Sequence, residues 1–359
     1  DRRKEGYGPT INAFQKLISS GVGLIYTVDC GTLSFEPIKY AKSKNIDVIV
    51  LDHHQSEINL PNAYSIINPN RLDDKSNLNY LCAAGVTFMF LVSLNKYLRL
   101  INWFKEKKIQ EPNLIEYLDL VSLGTVCDVV PLTGLNRAIV KQGLKVLKSK
   151  KNLGLKTLID ICGINTQPNI YHMGYVLGPR INAGGRVGKS SHGANLLLNN
   201  NAKEVFKIAS ELDQFNKERQ YLEEDVLNKI AIEANKTQSD PVIILSGKNW
   251  HEGVIGIVAS RLKDKFNKPV IIITVDKNLG KASARSIIGF DIGSVIIAAM
   301  QEKILIKGGG HKMAGGFTID VNNIEKFKDF VLKKFKNKNK DNKKKKSLYL
   351  DSVISPAAL

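Results

Sequence analysis

The sequence predicts an α/β protein in which a parallel-sheet domain is joined by a long helix to a smaller α/β domain. Short apolar strand patterns alternate with helix patterns in the first third of the chain and again towards its end. A long helix pattern without Gly or Pro lies between these two regions. The length of 359 residues is sufficient for two or three domains.

The composition is typical of a folded globular protein, with 43% hydrophobic and 24% charged residues, and this excludes disorder for most of the chain. The longest nearly apolar stretch, residues 83–94, is shorter than the roughly 18 residues that cross a membrane, so we expect no membrane partner. The four cysteines lie far apart without a CxxC pair. This spacing argues against disulfides and zinc knuckles and indicates a reduced, cytoplasmic setting.

The net charge is +18 at pH 7. Residues 333–346 contain nine Lys and one Asp and contribute +8, so the rest of the chain carries +10. A basic excess outside the tail indicates an anionic partner, most commonly nucleic acid. A general habit of Lys and Asn usage explains the charge equally well.

The first elements form a βαβ unit. A strand at 24–28 ends in Asp29, a helix follows at 35–44, and a second strand at 48–51 ends in Asp52, His53 and His54. The crossover predicts two parallel strands, whose carboxyl ends meet at one edge of the sheet. Ligands of open α/β sheets bind at this edge, so these polar side chains are candidate site residues.

A third acidic candidate follows two helix patterns at 84–99 and 114–123. Residues 124–131 run from Gly to Pro, are expected to end the second helix, and contain Asp128. Asp29, His53 and Asp128 together form a ligand set that suits Mn²⁺ or Mg²⁺ in a two-metal hydrolase. The competing interpretation is a capping Asp52 followed by two surface histidines.

A glycine-rich segment at 178–186 contains Arg180, Asn182 and Arg186. We expect a flexible loop whose backbone approaches a phosphate while the guanidinium groups bind it. A turn with surface arginines is the alternative.

One long helix is predicted from 202 to about 235, which gives predicted domains at 1–200, 237–335 and 336–359 around a connecting helix at 201–236. Apolar runs and turn signals place the elements of the second domain. They are strands at 242–245, 270–274 and 281–285, helices at 253–266 and 291–302, and a glycine turn at 308–310. The residues from 336 to 346 lack apolar periodicity and are expected to be solvated and mobile.

Two segments of the second domain suit oxyanions. Ser283 and Arg285 stand at the end of a strand, and the expected turn with Gly309 and Gly310 is followed by His311. The glycines could equally form only a tight turn.

Three other side chains stay without a clear role. Trp250 fits either a base contact or the core, and core is the commoner role for an aromatic at a strand–helix junction. His172 and His192 have no partner in the sequence and are interpreted as structural or surface residues.

These motifs, in this order, resemble the DHH phosphoesterases and, among them, the RecJ family of single-strand-specific 5′ to 3′ DNA exonucleases. The resemblance covers nearly the whole chain. Its motifs are VDCG at 28–31, LDHH at 51–54, GTVCDVVPL at 124–132, and the segments 178–186, 250–262 and 308–317.

The resemblance implies roles for individual residues. Asp29, His53 and Asp128 would hold Mn²⁺ or Mg²⁺, and His54 and Arg180 would lie at the scissile phosphate. The DNA would thread between the two domains, and a further set of residues would contact its phosphates. This set is Asn182, Arg186, Ser283, Arg285, Gly309, Gly310 and His311. Single-stranded DNA is the implied partner, together with a repair or recombination helicase or a single-strand-binding protein.

The resemblance also predicts that the chain is truncated at both ends relative to the family. Family members carry an Asp-rich DxDG strand, with further metal ligands, before the segment that resembles residues 2–8 here. Residues 348–351 resemble the first strand of the family's OB-fold domain.

Two other functions stay open. One is a DHH phosphoesterase that acts on a small substrate, such as nanoRNA, pAp or a cyclic dinucleotide. The other is a non-catalytic remnant that binds single strands.

Overall fold

The structure, a computed structural model, describes residues 8–338. It divides the chain into two compact units, and the division falls between Lys217 and Glu218. The predicted α/β fold with a long helix between two sheet-containing regions is confirmed. The segments resembling the family at residues 2–7 and 348–351, and the tail beyond 338, lie outside the described residues.

The first unit has a small sheet and many helices. Its strands are β1 (Leu24–Val28), β2 (Asp47–Leu51) and β3 (Ser65–Ile67). Its helices are α1 (Ile11–Ser19), α2 (Phe35–Ser43), α3 (Ala83–Leu100), α4 (Trp103–Glu106), α5 (Leu118–Cys127), α6 (Gly134–Lys148), α7 (Leu153–Ile161), α8 (Gly178–Val187) and α9 (His192–Leu198). A 3₁₀ turn (Leu114–Tyr117) precedes α5, and a π-helix (His172–Leu177) precedes α8.

The sheet of the first unit is parallel, in the order β1-β2-β3. Val28 pairs with Leu51, and Leu51 pairs with Ile67, so the three strands end side by side. Val48 and Val50 of β2 pack with Phe14 of α1 in a buried apolar cluster. Burial of these side chains holds α1 and α2 against the sheet and fixes its carboxyl edge.

Helix α10 (Ala202–Lys236) contains the division between the units. Ala209 and Leu212 are fully buried in the helical core of the first unit. Val226 and Ile230 are buried in a core of the second unit. The helix is stable at this length because tertiary packing buries apolar positions along both of its halves.

The second unit continues with β4 (Ile243–Lys248), α11 (Ile255–Phe266), β5 (Val270–Asp276), β6 (Leu279–Arg285), α12 (Ile292–Gln301), β7 (Lys307–His311), β8 (Ala314–Asp320) and α13 (Ile324–Lys338), with 3₁₀ turns at Thr237–Ser239 and Val321–Asn323. Its sheet has the order β4-β5-β6-β8-β7; β4 and β5 are parallel and the other pairs antiparallel. Alternate residues of β5 enter two apolar clusters, so both faces of this strand are buried.

The expected flexible loop at 178–186 is wrong, because these residues form helix α8. A Cβ atom at Gly178 would lie 2.3 Å from Cys127 Sγ, and one at Gly184 would lie 2.9 Å from the Lys189 carbonyl oxygen. The glycines of this segment therefore permit close packing of a helix. Their number misled the sequence interpretation, which equated glycine with flexibility.

Helix α5 extends beyond the predicted end, through Gly124 to Cys127. Gly124 is helical, and a Cβ atom there would lie 2.8 Å from Ala84 Cβ of α3. Close approach of α3 explains this glycine, so it does not break the helix.

The expected glycine turn at 308–310 is also wrong, because these residues belong to β7. His311 pairs with Ala314, so the turn of this hairpin consists of Lys312 and Met313. A Cβ atom at Gly310 would lie 2.5 Å from the Ala314 carbonyl oxygen, which explains why this strand requires glycine.

Two further observations bear on function. Trp250 is 8% exposed and packs in the core beside α11, in agreement with the core interpretation. Among residues 8–338, no helix is both long enough and apolar enough to cross a membrane.

Candidate active site

The carboxyl edge of the first sheet presents the DHH segment beside Asp29. The Asp29 N–H donates to the Leu51 carbonyl at 2.9 Å, and the Asp52 N–H donates to the Ile67 carbonyl at 3.1 Å. These bonds continue the ladder by one residue beyond each strand. Asp29 then adopts φ of 62°, a left-handed conformation that turns the chain out of the strand.

The structure brings three predicted ligands together. His53 Nε2 lies 3.3 Å from Asp29 Oδ1 and 3.6 Å from Asp128 Oδ2. Asp29, His53 and His54 offer ligand atoms that all lie within 4.8 Å of one another. Asp128 reaches this edge from α5, where it is the residue that caps the carboxyl end of the helix.

The orientation of His53 is fixed by the backbone. Its Nδ1 lies 3.1 Å from the Leu81 carbonyl oxygen, which can only accept, so Nδ1 carries a proton. Its Nε2 therefore faces the two carboxylates. The hydrogen bond with Asp29 raises the pKa of His53, and the Asp128 charge adds to this effect against the cost of burial.

This donor set fits a divalent cation. When His53 is neutral, its Nε2 lone pair faces the Asp29 and Asp128 carboxylates, an arrangement that a cation stabilises. Carboxylate oxygens with one imidazole nitrogen suit Mn²⁺ or Mg²⁺. The neighbouring Cys30 thiol stays protonated, because burial raises its pKa to about 11 and the charges of Asp52 and Asp29 add to the effect.

Asp52 has a different role from that of a ligand. Its carboxylate is buried and accepts from Thr32 N at 3.0 Å, His53 N at 2.8 Å and His54 Nδ1 at 2.7 Å. Burial alone would raise the pKa of Asp52, but the donors, His54 first, hold it well below its usual range. The carboxylate thus orients the His54 ring through its Nδ1.

Sequence reasoning missed two asparagines that follow β3. Asn68 Nδ2 donates to Thr32 Oγ1 and to the His54 carbonyl, both at 2.8 Å, and Asn70 Nδ2 donates to the His53 carbonyl at 2.5 Å. They hold the histidine backbone in place. The rule that located Asp29 and Asp52 would have found them, since they follow the third parallel strand.

Arg180 is held by protein groups in this structure. Its Nε donates to Asp213 Oδ1 at 2.8 Å, and its Nη1 donates to the Val176 carbonyl at 2.9 Å. Lys217 Nζ also lies 2.8 Å from Asp213, and Lys217 and Arg180 together lower the Asp213 pKa against the cost of burial. Asp213 lies 33 residues from Arg180 on α10, and no local signal identifies it.

The other predicted residues of α8 differ in exposure. Asn182 is exposed and Arg186 is half-buried. The helix begins against Cys127, the residue before Asp128, because Gly178 packs on its Sγ atom. The start of α8 therefore lies close to the end of α5 that carries a candidate ligand.

In the second unit, four of the predicted phosphate contacts, Ser283, Arg285, Gly309 and His311, share one face of the sheet, and Gly310 alternates to the other face. Ser283 pairs with Gly316, which pairs with Gly309. Arg285 and His311 both pair with Ala314 in the same way. Side chains of directly paired residues project to the same face of a sheet. One row of this face therefore contains Ser283 and two glycines, and the next row contains Arg285, Ala314 and His311.

This face is open at its glycines. A Cβ atom at Gly309 would meet nothing within 4 Å, and Gly309 and His311 are exposed. Arg285 Nη1 donates to Ser283 Oγ at 3.2 Å and to the Ala284 carbonyl at 2.8 Å. An extended phosphate backbone can therefore approach the sheet closely beside a fixed guanidinium group.

Two families match the chain. Residues 4–125 match the N-terminal domain of the DHH family, and residues 220–337 match the DHHA1 domain. A single-stranded-DNA-specific exonuclease RecJ of Salmonella typhimurium is 38% identical over 338 residues, which are 91% of this chain and 58% of that protein. The chain thus spans less than two thirds of this relative's length.

Solved structures agree with this result. An exonuclease RecJ bound to manganese is 31% identical, with a TM-score of 0.77, over 93% of this chain and 80% of that one. RecJ of Thermus thermophilus in complex with Mn²⁺ is 30% identical, with a TM-score of 0.78, over 91% of this chain and 47% of that one.

Proposed function

Because the chain belongs to the RecJ family, we propose that it is part of a metal-dependent exonuclease that degrades single-stranded DNA from the 5′ end to 5′-mononucleotides. The observation that carries this proposal is the convergence of Asp29, His53 and Asp128 at the carboxyl edge of a parallel sheet. The proposed setting is DNA repair and recombination in the cytoplasm. The supply of single strands by a helicase or a single-strand-binding protein stays a prediction.

Asp29, His53 and Asp128 would hold the Mn²⁺ or Mg²⁺ ion. The bound ion would lower the pKa of the attacking water and neutralise charge on the phosphate. The protein's contribution is to hold the ligands in place: the Leu81 carbonyl fixes the His53 ring, and Asn70 fixes its backbone.

His54 and Arg180 would act on the scissile phosphate. Asp52 holds the His54 ring by its Nδ1, so the opposite nitrogen can bind a phosphate oxygen. Arg180 uses Nε and Nη1 to bind Asp213 and the Val176 carbonyl, and its Nη2 would bind the phosphate.

The remaining predicted residues would bind the DNA backbone. In the first unit these are Asn182 and Arg186 of α8. In the second unit, Ser283, Arg285 and His311 would bind phosphates next to the backbone of Gly309 and Gly310. We assign these groups to affinity and orientation of the DNA.

A nuclease assay tests the proposal. The chain is incubated with Mn²⁺ and a 5′-phosphorylated single strand, and release of 5′-mononucleotides is measured alongside Mn²⁺ affinity by calorimetry. We expect D29N, H53A and D128N to lose both Mn²⁺ affinity and turnover. D47N is the matched control, because Asp47 is an exposed carboxylate at the opposite end of β2.

If the wild type and D47N bind Mn²⁺ but release no mononucleotides, the non-catalytic single-strand-binding function would be favoured. The small-substrate function is favoured by one observation, the open glycine strand β7, which can bind the single phosphate of a short substrate equally well. Faster turnover of a dinucleotide than of a long single strand would identify that function.

A further inference from the structure

Two exposed tyrosines stack on each other at the π-helix before α8. The ring centroids of Tyr171 and Tyr175 lie 5.3 Å apart, with an angle of 25° between the ring planes. The two residues are 61% and 75% exposed. His172 contacts the Tyr171 ring edge-on, at 5.9 Å. Packing does not explain these rings, because side chains exposed to this extent gain little from burial.

The π-helix lies against the end of α5. A Cβ atom at Gly174 would lie 3.3 Å from Val126 Cγ1, and one at Gly178 would lie 2.3 Å from Cys127 Sγ. Val126 and Cys127 directly precede the candidate ligand Asp128. The stacked tyrosines therefore stand on a segment that packs against the residues leading into the candidate metal centre.

The same segment is suited to a polyanion. Between Asp160 and Glu204 the sequence contains no Asp or Glu, but it does contain Arg180, Arg186 and Lys189. Arg180 pairs with Asp213 of α10, and its Nη1 also donates to the carbonyl of Val176, the residue after Tyr175, so a guanidinium group is held at this segment. Exposed aromatic rings beside a cationic side chain are a common arrangement for binding unpaired bases.

We propose that Tyr171 and Tyr175 form a stacking site for one unpaired base of the single-stranded DNA substrate. Tyr171 supports Tyr175 from one side, and the more exposed Tyr175 ring offers its outer face to the base. Stacking accepts any base, because every base has a π-face, and a base inside a duplex cannot reach the ring. The site would thus add preference for single strands without preference for sequence. It rests on the proposed nuclease function.

Binding of a 5′-phosphorylated single strand by the full chain, measured by fluorescence anisotropy without divalent metal, tests the site. We expect Y175A to weaken binding about 5- to 150-fold, the range for loss of one stacked base. Y175F keeps the ring and should bind within about twofold of the wild type. Y64A is the matched control and should bind like the wild type. Tyr64 is 73% exposed and precedes β3 at the opposite edge of the sheet.

DNA strands that each lack the base at one position distinguish a loss of base stacking from structural damage to the protein. At the contacted position, removal of the base should weaken wild-type binding but leave Y175A binding unchanged. Equal affinity of Y175A and the wild type for the intact strand would overturn the stacking site alone. An equal effect of Y175A on intact and fully abasic strands would also overturn it. Failure of the wild-type chain to bind any single strand would instead overturn the proposed function and the stacking site together.

Discussion

His54 Nδ1 lies 2.7 Å from Asp52 Oδ1, and the Asp52 carboxylate is almost fully buried. Asp52 also accepts from the backbone N–H groups of Thr32 and His53, so several donors of the first unit stabilise its charge. A buried carboxylate is stable only while these donors are in place. Asp52 therefore links the stability of the fold to the orientation of the candidate site.

D52N should lower the free energy of unfolding by about 1–3 kcal/mol at pH 7, because the new amide N–H₂ faces groups that themselves donate. The pKa of Asp52 lies well below its usual 3.8, so its stabilisation is present above that pH and is lost as the pH falls through the folded-state pKa. The difference between the variant and the wild type should thus shrink in acid below about pH 4. Urea unfolding of both proteins at pH 7 and in acid measures this difference in the free energy of unfolding.

The exposed carboxylate of Asp47 provides the control for this prediction. D47N should change the free energy of unfolding by less than about 0.5 kcal/mol. If D52N is as stable as D47N at pH 7, the donors around Asp52 do not stabilise its charge.

The strand-end rule explains why much of the site was predictable. The strand ending at Asp29 and the strand ending at Asp52 both show clear apolar runs, and parallel strands bring their ends together. The approach of Asp128 followed from its position beside a predicted helix end and from the family motifs. For β1 and β2, the local apolar pattern of the sequence predicts the same strands that the structure contains.

The glycine segments were not predictable in the same way. Gly178, Gly184 and Gly310 are required by neighbours distant in sequence or across a hairpin, and a single sequence does not show those neighbours. The partner of Arg180 is hidden for the same reason, because Asp213 lies on another helix. Glycine indicates either freedom or close packing, and only tertiary structure distinguishes the two.

G178A should destabilise the first unit by about 1–3 kcal/mol, because the new methyl group would overlap Cys127 Sγ and approach the Met173 carbonyl oxygen. G185A, in the same helix, is the matched control. A Cβ atom at Gly185 meets nothing within 4 Å, so this variant should be neutral or up to about 1 kcal/mol more stable. Thermal unfolding of both variants checks the prediction.

A second change tests the cause of that clash. C127A removes the sulfur that a methyl group at position 178 would overlap, so the double variant should regain part of the loss caused by G178A. Strict additivity of the two changes would show that Cys127 is not the obstacle.

D213N should lower kcat on single-stranded DNA by about tenfold or more with a smaller change in KM, because Arg180 would lose the carboxylate that orients its guanidinium group at the phosphate. K217A is the control: the Lys217 side chain is 71% exposed, and its ion pair with Asp213 lies near the surface, where such pairs contribute about 0–1 kcal/mol. Steady-state kinetics with Mn²⁺ measures both. A rise in KM alone for D213N would mean that Arg180 serves only in binding.

G309A separates the fold of the second sheet from its proposed contact with DNA. A Cβ atom at Gly309 would project into open space on the face that carries Ser283 and Arg285, so the variant should fold at least as stably as the wild type. The methyl group would hold a phosphate away from the backbone and weaken single-strand binding by about tenfold or more, the loss expected for one charge-assisted hydrogen bond.

G310A should behave differently, because its methyl group would meet the Ala314 carbonyl oxygen and disrupt the hairpin itself. Thermal unfolding and anisotropy on both variants give the comparison, and unchanged affinity of a stably folded G309A would remove Gly309 from the DNA contact.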